Sequence, residues 1–193
     1  MKKIINLLPI LILTISFTQE LDGLIEQATT HYFDEEYDLA YKYSMKVLEI
    51  DDEHPYANFY IGDYYGFEGE FDKALKYYDV AIENHTHKEF ELAYYQRALT
   101  KLVLNKDLSY CEDIQVLKEV FEVDDTYKYL EEEHNQLFGL CDLSTAKPNL
   151  LISTANFLAQ VGSCTYSLLF YNEAVDKGTS YDLIHYDKSI CGH

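Results

Sequence analysis

Apolar and small residues recur at helical spacing along the chain. In the stretch YDLAYKYSMKVLEIDD, Ala40, Ser44, Val47 and Leu48 stand at i, i+4, i+7 and i+8, which is one face of an α-helix. Similar stretches fill most of the chain between residues 21 and 178, and short polar or glycine-containing segments separate them. The pattern predicts an all-α protein.

The helical pattern repeats with a period of 34 residues. When Pro55 is position 1 of a frame, positions 7, 8, 11, 15, 20, 24 and 27 hold Ile61, Gly62, Tyr65, Gly69, Ala74, Tyr78 and Ala81. A frame that begins at Leu21 has Ala28, Ala40, Ser44 and Val47 at positions 8, 20, 24 and 27. Internal repetition of this length is typical of helical-repeat proteins.

Two further frames extend the repeat less regularly. A frame at Glu91, after a slip of two residues, has Ala98, Asn105, Tyr110, Ile114 and Leu117 at positions 8, 15, 20, 24 and 27. A frame at Pro148 has Ala155, Gly162, Ser167, Tyr171 and Ala174 at the same positions. Residues 124–141 are predicted to form one helix between these frames. Residues 180–191 are predicted to form a capping helix, because the last repeat of a solenoid has no neighbour to cover it.

This pattern resembles the tetratricopeptide repeat (TPR), which has L-G-x-x-Y in its first helix, A-x-x-x-F in its second and a later Ala. The copy at 55–88 carries the resemblance best, although Asn58 and Thr86 replace its Trp and its closing Pro. The resemblance implies an α-solenoid of antiparallel helix pairs. It has about three repeats, at 21–54, 55–88 and 91–123, followed by degenerate TPR-like and capping helices at 124–193. The residues implied to pack the repeats together are Gly62, Ala74, Tyr78, Ala81, Ala28, Ala40 and Ala98.

The glycines between residues 59 and 84 have two interpretations. One is a phosphate-binding loop, but the neighbouring acidic residues Asp63, Glu68, Glu70 and Asp72 would repel a phosphate. The other is packing and turning. Gly62 lies where the first helix of a repeat contacts the second, and Gly69 ends the first helix in a left-handed conformation. The second interpretation is favoured; it does not account for Gly66.

The N-terminus has the pattern of a secretory signal. Lys2 and Lys3 precede an apolar run from Ile4 to Phe17, which is shorter than the roughly 20 residues of a membrane span. We predict a signal peptide at residues 1–19, cut near Thr18–Gln19, and an exported protein, periplasmic or secreted, that does not span a membrane after cleavage. An uncleaved anchor is the alternative.

The charge of the chain restricts its partners. It contains 15 Lys and Arg residues against 34 Asp and Glu residues, a formal net charge of −19. Binding of nucleic acid or of an anionic membrane surface requires clustered cations, so both are excluded as predicted partners. A protein partner of unknown identity is predicted instead.

The four cysteines are Cys111, Cys141, Cys164 and Cys191, and none of them forms a C-x-x-C motif. An even number of cysteines in an exported chain favours two disulfides. In the stacked hairpins that the TPR resemblance implies, the start of a second helix lies beside the end of the next helix. The predicted bonds are therefore Cys111–Cys141 and Cys164–Cys191. Four reduced core cysteines are the alternative.

No motif in the sequence indicates catalysis. The His85-x-His87 pair has no matching ligand cluster nearby, and the spacing Glu131-x-x-His134 occurs once where di-iron sites need it twice. Catalytic motifs of the nucleophile-elbow and Walker types are absent from the sequence. We predict no catalytic residues, no metal site and no cofactor; an enzyme with an unrecognised site is an open alternative.

The TPR resemblance also implies a binding surface. In TPR proteins, positions 2, 5, 9, 12 and 13 of the first helix line an inner groove. The residues predicted to bind a partner in this groove are Tyr32, Phe33, Tyr56, Phe59, Asp63, Phe67 and Tyr95. The predicted function is a non-catalytic scaffold of the cell envelope or secreted space that binds a peptide or helix there. The alternatives are an accessory carbohydrate-binding subunit of a polysaccharide-uptake system, and a groove filled by the C-terminal helices.

Overall fold

All regular elements in the described part of the chain are α-helices. The computed structural model describes residues 8–85, 90–104, 109–123 and 139–179, and no strand occurs among them. The helices are α1 (Leu8–Phe33), α2 (Tyr37–Leu48), α3 (Pro55–Phe67), α4 (Phe71–Asn84), α5 (Glu91–Leu104), α6 (Tyr110–Val123), α7 (Pro148–Gln160) and α8 (Cys164–Asp176). The prediction of an all-α fold is confirmed for these residues.

Proline marks the start of two helices. Pro55 and Pro148 stand in the first turns of α3 and α7, where the missing N–H costs no hydrogen bond and the fixed φ suits a helix. At α3, His54 adds a cap, because its Nδ1 accepts a hydrogen bond from the backbone N–H of Ala57 at 3.4 Å. These local signals explain why the two helices begin where the sequence frames do.

Each helix from α1 to α5 packs against the next one, and α7 packs against α8; the contacts are most extensive within the pairs α1/α2, α3/α4 and α7/α8. In two of these pairs, a hydrogen bond joins residues that are 15 positions apart across the turn. Tyr78 donates to Asp63 at 2.6 Å across α3/α4, and Tyr171 donates to Asn156 across α7/α8. This is the contact pattern of an antiparallel helical hairpin.

The turns inside these three pairs have the same geometry. Glu35, Gly69 and Gly162 have positive φ angles of 62°, 74° and 81°. In each turn, this residue donates its N–H to the carbonyl three residues earlier, and the next residue donates to the carbonyl five residues before it. The turn is a Schellman-type helix end. All three residues occupy position 15 of their sequence frames, so the repeat in the sequence corresponds to a repeated turn.

Gly62 lies at the closest approach of α3 and α4. A Cβ atom on Gly62 would stand 2.6 Å from Cε1 and 2.7 Å from Cδ1 of the Tyr78 ring. Gly66, which the sequence left unexplained, faces the hydroxyl end of the same ring, where a Cβ would have an ordinary 3.4 Å contact. The ring of Tyr78 therefore fills the space that the two glycines leave open.

In the part of the chain that the structure describes, buried residues form two clusters. The N-terminal cluster joins α1, α3, α4 and the start of α5, with Ala28, Phe59, Ala74 and Tyr78 among its members. The C-terminal cluster joins α5 to α8 and residues 140–146. Every residue assigned to repeat packing is buried: Gly62, Ala74, Tyr78, Ala81, Ala28, Ala40 and Ala98.

A buried ion pair holds α4, α5 and α6 together. Arg97 donates to both carboxylate oxygens of Asp113, at 3.0 and 2.5 Å, and to Asp79 at 2.9 Å. Lys101 lies 2.9 Å from the same Asp113 carboxylate. A carboxylate buried this deeply needs such partners, because an unpaired buried charge is strongly destabilising.

Cys111 and Cys141 form a disulfide, with their Cα atoms 5.6 Å apart, as the sequence predicted. Beside it, the hydroxyl of Tyr110 donates to the carbonyl of Leu140 at 2.9 Å. The two contacts attach the start of α6 to the segment that follows residue 138. The other predicted bond includes Cys191, which lies outside the described residues, as do Asn105, the capping helix at 180–191 and most of the helix at 124–141.

Helix α1 runs without a break from Leu8 through the predicted cleavage point at Thr18–Gln19. The signal peptide stays a prediction. Among the described helices, none has the combination of length and apolar character that a membrane crossing needs.

Candidate functional site

An aromatic groove lies between α1, α3 and the start of α5. It has a volume of about 520 Å³. The buried rings of Phe59, Tyr60 and Phe90 line it together with three exposed side chains, Phe33, Tyr56 and Leu92. The residues of the aromatic groove are Asp22, Ile25, Glu26, Thr29, Thr30, Tyr32, Phe33, Tyr56, Phe59, Tyr60, Phe90 and Leu92.

Ring contacts fix the lining of the aromatic groove. Tyr32 stacks on Tyr60, with ring centroids 4.5 Å apart, and Phe90 packs against Phe59 at 5.2 Å and Tyr56 at 5.1 Å. The hydroxyl of Tyr60 donates to Oγ1 of Thr29 at 3.1 Å, which ties α3 to α1. A surface held in this way loses little conformational entropy when a ligand binds.

Asp63 anchors the groove from beneath. Its carboxylate accepts hydrogen bonds from Tyr32 at 2.5 Å and Tyr78 at 2.6 Å, so one acidic side chain of α3 joins α1 and α4. Burial raises the pKa of Asp63 to about 6, and the two tyrosine hydrogen bonds oppose that rise. The same burial, together with the negative charge of Asp63, raises the pKa values of both tyrosines, so they stay protonated donors.

A second cavity of about 300 Å³ lies on the other side of Asp63, between α3, α4, α5 and α7. Its lining is mostly apolar and includes Phe67, Leu99 and Phe157. We refer to it as the second cavity. The residues of α3 that line the second cavity lie further along the helix than those that line the aromatic groove, so the two cavities follow one another toward the C-terminal helices.

A third cavity, of about 420 Å³, lies beside the turn between α1 and α2. Four carboxylate side chains line it, those of Glu35, Glu36, Asp38 and Glu68. The rest of the lining consists of Tyr37, Leu39, Tyr64 and Phe67. We call it the acidic cavity. Aromatic contacts connect it to the groove, because Tyr37 packs on Phe67 at 4.5 Å and on Tyr32 at 5.9 Å.

The structure brings most of the residues predicted to bind a partner to this face. Tyr32, Phe33, Tyr56 and Phe59 line the aromatic groove, and Asp63 and Phe67 line the second cavity. Tyr95 lines none of the three cavities and packs against the C-terminal cluster. Phe59 and Asp63 are buried, so they support the surface and offer a partner no contact area.

The predicted binding residues omit several side chains that line the groove, among them Leu92, Phe90, Asp22 and Glu26. Leu92 occupies position 2 of its frame, as Tyr56 does, so the repeat frame already contained the signal for it. Phe90 lies in the two-residue slip between frames, where periodicity predicts nothing. Asp22 also occupies position 2 of its frame, whereas Glu26, one helical turn further along α1, lies at position 6, which the resemblance does not place in the groove.

No family model matches the chain, and no curated protein matches it. Within the described residues, no group of three or more His, Cys, Asp or Glu side chains is arranged to hold a metal ion. The site is an open groove with an apolar lining and carboxylates at its edges.

Proposed function

We propose that this chain is a non-catalytic scaffold of the TPR-like helical-repeat type, which binds a segment of another protein in the aromatic groove. One observation carries the proposal. Phe33, Tyr56 and Leu92 are 71%, 44% and 41% exposed, although they adjoin the buried aromatic floor of one groove. Exposed apolar side chains clustered on a preformed concave surface are typical of protein-binding sites.

The repeated turns support the TPR-like part of the proposal. Glu35 and Gly69 are 34 residues apart and have the same backbone conformation and the same two hydrogen bonds. In such an array, the first helices of the pairs form one surface. Side chains of α1, α3 and α5 line the aromatic groove, and these are the first helices of three successive pairs.

We also propose that the protein acts outside the cytoplasm, in the periplasm or the secreted space, and the disulfide supports this. A bond between Cys111 and Cys141 persists in an oxidising compartment and is rare where thiols are kept reduced. Together with the apolar run near the N-terminus, it favours the periplasm or the extracellular space as the place of action.

In the test, the wild type and two variants are each used to capture proteins from an extract of the source cells. The amounts of bound protein that they recover are compared. Phe33→Ala/Tyr56→Ala removes two exposed rings of the groove. Leu168→Ala/Leu169→Ala removes two side chains of α8 that are 45% exposed and line none of the three cavities. We expect the groove variant to recover partners at least about tenfold less well than the wild type, since aromatic anchors dominate binding energy. The α8 variant is expected to bind as the wild type does.

A photo-crosslinking amino acid at position 56, compared with one at position 168, identifies what occupies the groove. Crosslinks to a polypeptide from position 56 alone would support the proposal. Equal recovery of partners by both variants would remove the groove from consideration. Binding to a glycan array without any protein partner would support the carbohydrate-binding alternative.

A further inference from the structure

The aromatic groove, the second cavity and the acidic cavity lie along one face of the protein. The described charged side chains that line this face all have one sign. In the described part of the chain, two carboxylates line the aromatic groove, one lines the second cavity and four line the acidic cavity. No lysine or arginine belongs to the lining of any of them. A partner segment on this face therefore meets apolar rings and negative charge.

None of the described lysines and arginines that form ion pairs lines the aromatic groove, the second cavity or the acidic cavity. Arg97 and Lys101 bind Asp79 and Asp113 between α4, α5 and α6. Lys73 pairs with Glu70 at the start of α4. The carboxylates of the acidic cavity are not neutralised by these cations. Among the described residues, Glu36 is the only carboxylate of the acidic cavity with a basic contact, which is from Nδ1 of His31 at 2.6 Å.

The rings beside these carboxylates suit a cationic side chain. Phe67 and Tyr64 both line the acidic cavity, and Phe67 is 62% exposed. The face of an aromatic ring attracts an ammonium or guanidinium group, and a nearby carboxylate adds to that attraction. A neutral or acidic segment would gain only the apolar contacts and would leave the carboxylates without a partner.

We propose that the bound segment is basic, with large apolar side chains in the aromatic groove and Lys or Arg side chains on both flanks. One flank would reach Asp22 and Glu26, and the other would reach the acidic cavity. This inference rests on the proposed function, because it specifies the chemistry of the partner at the same site. Complementary charge of this kind raises the association rate and excludes wrong partners.

The test uses synthetic amphipathic peptides of about 18 residues, which is about five helical turns. One contains Leu, Phe and Lys, a second has Gln in place of every Lys, and a third has Glu. Their binding to the full chain is measured by fluorescence anisotropy across a salt series. We expect the Lys peptide to bind at least about tenfold more tightly than the Gln peptide, the Glu peptide not to bind, and the difference to shrink at high salt.

Matched variants separate a specific site from general attraction to an acidic protein. Glu35→Gln/Asp38→Asn/Glu68→Gln removes three charges from the acidic cavity. Asp52→Asn/Glu83→Gln/Glu112→Gln removes three exposed carboxylates that line none of the cavities. The first variant is expected to weaken binding of the Lys peptide about tenfold, mainly through a slower association rate, and the second less than twofold.

The outcomes distinguish this inference from the proposed function. If the Gln or Glu peptide binds as well as the Lys peptide, and Phe33→Ala/Tyr56→Ala abolishes that binding, the groove binds polypeptides and the basic-partner inference is wrong. Equal weakening by both charge variants, or no binding of the Lys peptide, also overturns the inference. Binding that Phe33→Ala/Tyr56→Ala leaves unchanged contradicts the proposed function itself.

Discussion

Glu35 has a backbone conformation that suits glycine. Its φ of 62° matches those of Gly69 and Gly162 at the equivalent turns, and it is the only described non-glycine residue with a positive φ. A side chain in this region costs about 1–2 kcal/mol. We expect Glu35→Gly to raise the free energy of unfolding by about 0.5–1 kcal/mol, because glycine relieves this strain at some cost in unfolded-chain entropy. Urea denaturation measures the change.

Asp34→Gly is the matched control for this substitution. It removes an exposed acidic side chain from the same turn, at a position whose φ is negative. There the glycine relieves no strain and only adds freedom to the unfolded chain, so a small loss of stability is expected. Equal gains from Asp34→Gly and Glu35→Gly would show that the lost charge, and not the backbone, is responsible.

Asp63 makes stability depend on pH. Its pKa rises from the usual 3.8 to about 6 in the folded chain, chiefly because of burial. The folded state therefore binds more protons than the unfolded state between these values. The stabilising contribution of the protonated carboxyl is full below about pH 4 and is lost as the pH rises through about 6. The shift corresponds to about 3 kcal/mol for this buried group.

We expect Asp63→Asn to remove this pH dependence, so that the difference in unfolding free energy between variant and wild type changes by about 2.5 kcal/mol from pH 4 to pH 7. The comparison cancels the repulsion among the many other carboxylates. Tyr32→Phe is the control: it removes one of the hydrogen bonds that lower the Asp63 pKa, so the titration is expected to move to higher pH. Carboxyl NMR shifts measure the titration directly, and a midpoint near 4 in the wild type would contradict the prediction.

At the scale of one helix pair, packing of α3 on α4 requires Gly62. The Tyr78 ring that a Cβ would meet cannot move aside easily, because it is buried and its hydroxyl is bonded to Asp63. We expect Gly62→Ala to lower the free energy of unfolding by about 1–3 kcal/mol, as overpacking does. Thermal or urea denaturation measures this loss.

Gly23→Ala, in α1, is expected to have the opposite effect on the free energy of unfolding. A Cβ on Gly23 meets nothing within 4 Å, so the substitution adds only helix propensity, up to about 1 kcal/mol of stability. Opposite signs for the two Gly→Ala substitutions would show that the contact with Tyr78 decides the outcome. A loss at Gly23 similar to that at Gly62 would contradict this explanation.

The sequence predicted the features of these helix pairs that depend on local chemistry. A small residue at position 8 is required by a single helix–helix interface, and a left-handed residue at position 15 is required by a single turn. The roles of Gly62 and Gly69 could therefore be predicted from the sequence. The groove depends on contacts across pairs, and there the sequence was less informative. Periodicity put Phe59 on the first helix but did not show that its ring is buried beneath Tyr32 and Phe90. The TPR resemblance also placed Tyr95 in the groove, whereas this ring packs against the C-terminal cluster.

At the scale of the whole molecule, the described buried residues are divided between two clusters that meet at α5. Ala93 belongs to the N-terminal cluster, and Ala98 and Leu102 belong to the C-terminal cluster. Because helices pack mainly on their neighbours in sequence, a local loss of stability is expected to spread only through adjacent interfaces. The aromatic groove lies almost entirely on the N-terminal side, while the disulfide lies on the C-terminal side.

We therefore expect Cys111→Ala/Cys141→Ala to destabilise the two clusters unequally. The bond closes a loop with a sequence separation of 30 residues, and its loss is expected to cost about 3–4 kcal/mol through the greater entropy of the unfolded chain. In hydrogen exchange, amides of α6 and of residues 139–146 should lose most of their protection, while α3 and α4 should keep theirs. Peptide binding in the groove should also persist. If α3 and α4 lose as much protection as α6, the chain unfolds as one cooperative unit, and the groove depends on the distant disulfide.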